Sequence, residues 1–234
     1  MPMGKLQLWL PAPLSTITQG FSENANISYA RDGLVGHTAI DWGIPFGEPI
    51  YNCAEYAYCY SVLNRGNPDL MKYRAVYTLV NADNGVSEWA EASYGHFNDV
   101  YAEVGKTYQP GEVLGTSGNT GTVFSRGREV TAAQKNAGST AGTHLHGAQI
   151  RPVQRVKKIT RRKEYLYDGF GILKKDGYYF EVINYKNGTN GCINPAPFLN
   201  GILATVYAAK VRKQSLTISL LKQLVSLYKR LRGV

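Results

Sequence analysis

The chain has 234 residues and a formal net charge of +9, with 44% hydrophobic residues, 25 glycines and 17 tyrosines. That length suits one domain with a full core, or one domain plus an appendage. No run of about 18 apolar residues occurs, which excludes a membrane-spanning helix. Pro11 and Pro13 interrupt the short N-terminal apolar stretch, and no signal peptide is read there.

From Leu6 to about Phe198 the chain breaks into short segments rich in β-branched and aromatic residues, separated by glycine, proline or asparagine. Residues 75–81 (AVYTLVN), 87–96 (SEWAEASYGH) and 178–185 (YYFEVINY) are the clearest. Turn clusters such as residues 64–68 and 82–85 lie between segments. This pattern predicts a mainly β fold with an antiparallel sheet core, and it excludes a strand–helix alternation of the dinucleotide-binding kind. Residues 128–137 (REVTAAQKNA) are the one helix expected in the middle of the chain.

The composition changes after Pro197, dividing the chain into a domain over 1–200 and a tail over 201–234. Leu220, Leu221, Leu224, Leu227, Tyr228 and Leu231 recur at spacings of three and four among lysines and arginines, which predicts a basic amphipathic helix. Such a helix either docks on the domain or a twin subunit, or binds anionic envelope polymers or lipid. Residues 151–163 and 201–234 each hold seven Lys/Arg and no acid, so residues 1–150 are near neutral. The basic residues lack the aromatic interleaving of nucleic-acid modules, and no nucleic-acid partner is expected. Cys53, Cys59 and Cys192 form no C-x-x-C pair; three free buried thiols are expected, with a Cys53–Cys59 bridge the alternative.

The chain has four histidines. His144 and His146, in residues 142–147 (GTHLHG), share one face of an extended segment while Leu145 turns to the core. Two imidazoles so placed form a metal site or a ligand-plus-base pair. In residues 36–43 (GHTAIDWG), His37 and Asp41 are four apart and also share a face. His96 follows Tyr94 and Gly95 in a turn. The glycine loop 115–121 (GTSGNTG) lacks the Gly-Lys-Ser/Thr ending of a phosphate-binding loop, so nucleotide binding is excluded; its expected task is to bring the two histidine segments together.

These four pieces, in this order, resemble the lysostaphin/LytM-type zinc endopeptidases of bacterial cell walls. Residues 110–115 (PGEVLG) and 191–198 (GCINPAPF) extend the resemblance to roughly residues 15–198. It implies one Zn2+ per chain held by His37, Asp41 and His146, with His96 and His144 as the catalytic histidines and peptidoglycan as the substrate. On this reading His144 is the general base and His96 donates a hydrogen bond to the oxyanion or orients the water. A phage-type endolysin or virion-associated lysin, made in the cytoplasm and acting on the wall after release, fits the absent signal peptide. An inactive wall-binding or hydrolase-activating member of the same fold is the alternative. The chain departs from the family pattern in three places: some twenty residues (122–141) precede GTHLHG, Gly147 follows His146, and a basic insertion spans about 151–175. Both insertions are expected to reshape the walls of the substrate groove.

Overall fold

The computed structural model describes residues 4–12, 16–22, 29–30 and 32–199. The boundary near 200 and the tail helix expected over 201–234 lie outside the described residues. In chain order the strands are β1 (Thr16–Gln19), β2 (Asp41–Gly43), β3 (Pro49–Tyr51), β4 (Ala57–Leu63), β5 (Ala75–Val80), β6 (Trp89–Gly95), β7 (Phe97–Val100), β8 (Thr107–Tyr108) and β9 (Val113–Ser117). A hairpin of β10 (Phe124–Ser125) and β11 (Arg128–Glu129) precedes helix α1 (Ala132–Asn136), and β12 (Leu145–Val156), β13 (Lys174–Lys175) and β14 (Tyr178–Val182) follow.

Nine strands form one antiparallel sheet in the order β1-β2-β12-β6-β5-β4-β8, with β14 on β12 and β13 on β14. The long β12 is its spine. Its first residues pair with β2, its last four with β14, and β6 runs along its other side. A second sheet, β3-β9-β7, packs against one face of the first. Alternation decides what that face carries: Ala90, Ala92 and Tyr94 of β6 turn inward, with Val76 and Ile150, to meet Ile50, Phe97 and Leu114 from the small sheet. The three cysteines are buried and free, as the expected thiols are.

The opposite face of the main sheet is divided lengthwise. Along β12 it presents His146, Gln149, Arg151 and Val153 in turn. At the far end Val153 joins Leu79, Tyr60, Phe180 and Val182 in a second apolar cluster, which Leu166 and Leu173 cover. The insertion after β12 therefore caps the sheet end and does not line the groove beside the histidines, contrary to the expectation for it. Its apolar residues have a separate sheet surface to bury.

The helix expected over 128–137 is shorter than its pattern. Arg128 and Glu129 are spent on the hairpin, and the helix begins only after Thr131, whose hydroxyl accepts from the Gln134 N–H in a capping box. Lys135 is buried, and its Nζ donates to the Gly121 carbonyl, tying α1 to the glycine loop.

Candidate metal centre

The β2–β12 pairing builds the centre. His146 lies directly opposite Asp41 and Leu145 opposite Trp42. Leu145 is core, so His146 faces outward beside Asp41, as alternation along GTHLHG requires. His37 precedes β2 and reaches the same carboxylate from four residues upstream. The glycine loop has a different task from the expected one, because the strand pairing already joins the two histidine segments. Its Gly118 carbonyl accepts from the His144 N–H and its Thr120 carbonyl meets His96.

Three donor atoms converge. His37 Nε2 is 3.0 Å from His146 Nδ1, and each is 3.1 Å from Asp41 Oδ1. The outward ring nitrogens set the tautomers. His37 Nδ1 lies 3.1 Å from the Gly20 carbonyl and His146 Nε2 lies 3.2 Å from Gln149 Oε1. Each of those nitrogens carries the proton it donates to an oxygen, so each facing nitrogen presents a lone pair. Burial alone would raise the Asp41 carboxyl; when the facing nitrogens of His146 and His37 carry a proton, their hydrogen bonds hold it well below the usual carboxylate range, whereas the outward tautomer turns two lone pairs toward it. In that outward tautomer two imidazole lone pairs and a carboxylate oxygen face one another, an arrangement that repels unless a cation sits among them. Ligand distances of about 2.0–2.2 Å in a tetrahedral zinc site place donor atoms about 3.4 Å apart, a few tenths of an ångström more than here. The donor set fits zinc with one position left open.

The remaining histidines stand beside this set. His144 Nδ1 donates to the Gly142 carbonyl at 2.8 Å, and its Nε2 is 3.6 Å from Asp41 Oδ2. His96 Nδ1 donates to the Thr120 carbonyl at 2.6 Å, and its ring centroid is 4.5 Å from that of His144. Burial, reinforced by His144 and His146, keeps the His96 imidazole well below its usual range and therefore neutral. With Nδ1–H committed to Thr120, the neutral ring offers Nε2 as an acceptor. It becomes the hydrogen-bond donor expected of it only after taking a proton. His96 has φ of 66°, in the left-handed region, where it ends β6 and turns the chain into β7. Gly95 pairs with His146 and can carry no side chain, because a Cβ there would fall 1.6 Å from Tyr73 Oη.

All four histidines therefore share one design: the outward ring N–H is tethered to an oxygen and the other nitrogen faces the centre. They open into a groove of about 820 Å³. The 122–141 insertion supplies one wall through Phe124 and Arg126, as expected for it, while Tyr29 and Asp32 stand among the other lining residues. The Tyr29 hydroxyl accepts from Gln19 Nε2, and its ring lies 6.0 Å from that of His37. Tyr94 instead belongs to the core, donating to Asn52 Oδ1.

Gln149 was not visible as a site residue in the sequence. Three positions after His146, strict alternation puts it on the other face. A register shift between His146 and Gln149 restores it to the site face. There its Oε1 also accepts from the Thr38 hydroxyl.

No protein-family model matches the chain, and no curated protein matches it in sequence. Solved structures similar to it include a catalytic-domain variant of the prophage-encoded M23 protein EnpA from Enterococcus faecalis, at 20% identity and a TM-score of 0.36 over 59% of this chain and 82% of that one. A zinc-containing peptidase from Vibrio cholerae is 20% identical, with a TM-score of 0.39 over 63% of this chain and 36% of that one. The antimicrobial peptidase lysostaphin from Staphylococcus simulans is 15% identical, with a TM-score of 0.40 over 80% and 50%. The chain thus spans half or less of the last two. At identities this low, the roles of individual residues rest on the geometry of this chain. Among these solved structures are an M23 protein and lysostaphin, of the family that the chain's motifs resemble.

Proposed function

We propose that the chain is a zinc-dependent endopeptidase that cuts peptide bonds in the stem peptides or cross-bridges of bacterial peptidoglycan. The observation that carries this reading is the convergence of His37 Nε2, His146 Nδ1 and Asp41 Oδ1 as three donor atoms beside two further imidazoles in an open groove. Zinc held there supplies a Lewis acid. His144 Nε2 accepts the proton of the attacking water, while the Nδ1–H bond to Gly142 holds the ring in the tautomer that leaves Nε2 basic. His96 stands beside it, neutral at rest, with Nε2 as an acceptor that can orient the water and, if protonated during the reaction, donate to the oxyanion or the departing amine.

Peptidoglycan as the substrate rests on the four motifs in family order. A lysin of phage type, made in the cytoplasm and reaching the wall on release, is the setting this reading favours. The alternative of an inactive wall-binding member is disfavoured, because all five side chains are present and converge. The test is release of soluble muropeptides from purified sacculi, with mass spectrometry to locate the new amine and carboxyl termini. Wild type should cut one class of bond, and His144→Ala and His146→Ala should release none. Undiminished release by His146→Ala would overturn the proposal.

A further inference from the structure

The insertion after β12 has an outer surface that the groove does not explain. Its hairpin tip, residues 167–171, exposes Tyr167 at 62% and Phe170 at 94%; no other large apolar side chain among the described residues is nearly as open as Phe170. The turn is well formed: Tyr167 bridges Ile172, Asp168 N–H donates to the Gly171 carbonyl, and Asp168 Oδ1 accepts from the Phe170 N–H. The aromatic ring is thus held outward by an ordered turn whose one acid faces its own backbone. Single exposed apolar residues are ordinary, but a phenylalanine almost wholly in water at a hairpin tip has nothing within the described fold to bury it.

The loop before the hairpin is cationic. Lys163 pairs with Glu181 and Lys175 with Asp176. Lys157, Lys158, Arg161 and Arg162 are exposed and have no ion-pair partner among the described residues. Four residue steps, about 13 Å when extended, separate Lys163 from Tyr167. Leu166 and Leu173 anchor the hairpin on the sheet, so loop and tip are presented from a rigid base. They stand some ten residues along β12 from His146, about 30 Å away at the rise of a strand.

We propose that residues 157–171 form a docking surface for an anionic lipid bilayer, with the four cations on the headgroups and Phe170 and Tyr167 entering the interface. Cations alone would suit any polyanion. The outward aromatic pair decides for lipid, because an aromatic ring gains at a membrane interface by leaving water, which a phosphate chain does not offer. The C-terminal segment is a poor occupant: residues 201–234 carry seven cations and no acid, and would be repelled by this loop. A second copy meets the same repulsion. This inference is independent of the peptidase reading.

The test uses the full chain with phosphatidylglycerol/phosphatidylcholine vesicles against pure phosphatidylcholine. Because the tail is itself basic, the readout must report on the tip. Phe170→Trp provides it: its emission, after subtraction of the wild-type spectrum from Trp9, Trp42 and Trp89, should shift to the blue with the anionic vesicles only, and brominated lipid should quench it. The fourfold variant Lys157→Gln/Lys158→Gln/Arg161→Gln/Arg162→Gln, built on Phe170→Trp, should lose tip insertion, read as the anionic-vesicle concentration needed for the blue shift. Each basic residue near such a surface contributes about fivefold, so the loss is on the order of several hundred-fold. All these side chains are exposed, and an unchanged thermal melt establishes that the variants fold. Unshifted tip emission with anionic vesicles would overturn the proposal, even if the chain sediments with them. So would a tip blue shift unaffected by the fourfold change. Saturable binding of soluble linear polyphosphate with no vesicle-dependent tip signal would overturn it in favour of a polymer surface.

Discussion

Replacing Gln149 by alanine should weaken zinc binding without touching a ligand. Gln149 Oε1 accepts the outward N–H of His146 at 3.2 Å and is itself steadied by the Thr38 hydroxyl at 3.3 Å. Without that acceptor, His146 can rotate or exchange tautomers, and the proton then sits on Nδ1, where the metal binds. Loss of such an orienting contact costs 10–100-fold in metal affinity, or about 1.4–2.7 kcal/mol. Competition against a chromophoric chelator at fixed pH measures it directly. Gln149→Glu keeps an acceptor against His146 and should retain at least wild-type affinity, which separates the lost hydrogen bond from general loosening. Equal zinc affinity in Gln149→Ala and wild type would refute the reasoning that outward tethers set the histidine tautomers.

Arg151 makes a two-armed ion pair with the fully buried Glu91, at 2.8 Å through each nitrogen, and Tyr60 donates to the same carboxylate. Arg151→Met should cost about 3–5 kcal/mol in denaturant unfolding, because it strands a buried carboxylate, and the double change with Glu91→Leu should cost less than the single. Burial pushes the Cys53, Cys59 and Cys192 thiols up to about 12. A thiol so raised is protonated at pH 8, so iodoacetamide should leave the native protein unmodified and label three sites in denaturant. Phe124→Ala and Arg126→Ala, in the wall made by the 122–141 insertion, should raise KM on a soluble muropeptide while kcat stays within about twofold, the pattern of lost uniform binding; a selective loss of kcat would place them nearer the chemistry.

Much of the centre was legible because its parts are local. His144 and His146 declare their shared face by period-two spacing, and strand pairing then leaves His146 no choice but to meet Asp41. The strands β5, β6 and β14 lie inside the runs that composition singles out. What escaped depends on events that spacing does not encode. Gln149 returns to the site through a register shift, and Glu91 and Arg151 lie sixty residues apart until neighbouring strands place them opposite one another. The resting state of His96 follows from burial and from the Thr120 carbonyl, a backbone atom with no signature in the sequence. The insertion after β12 was expected at the groove as a departure from the family pattern, and nothing in its spacing marks Leu166 and Leu173 as the residues that fix it on the sheet.

The central claim is that His37, Asp41 and His146 hold a single zinc ion on which hydrolysis depends. The most direct measurement is zinc content after equilibrium dialysis, taken together with muropeptide release from the same samples. One equivalent per wild-type chain is predicted, lost in His146→Ala, with hydrolysis abolished by a chelator and restored by one equivalent of zinc. Full hydrolysis by metal-free protein, or one tightly bound zinc retained in His146→Ala, would contradict it.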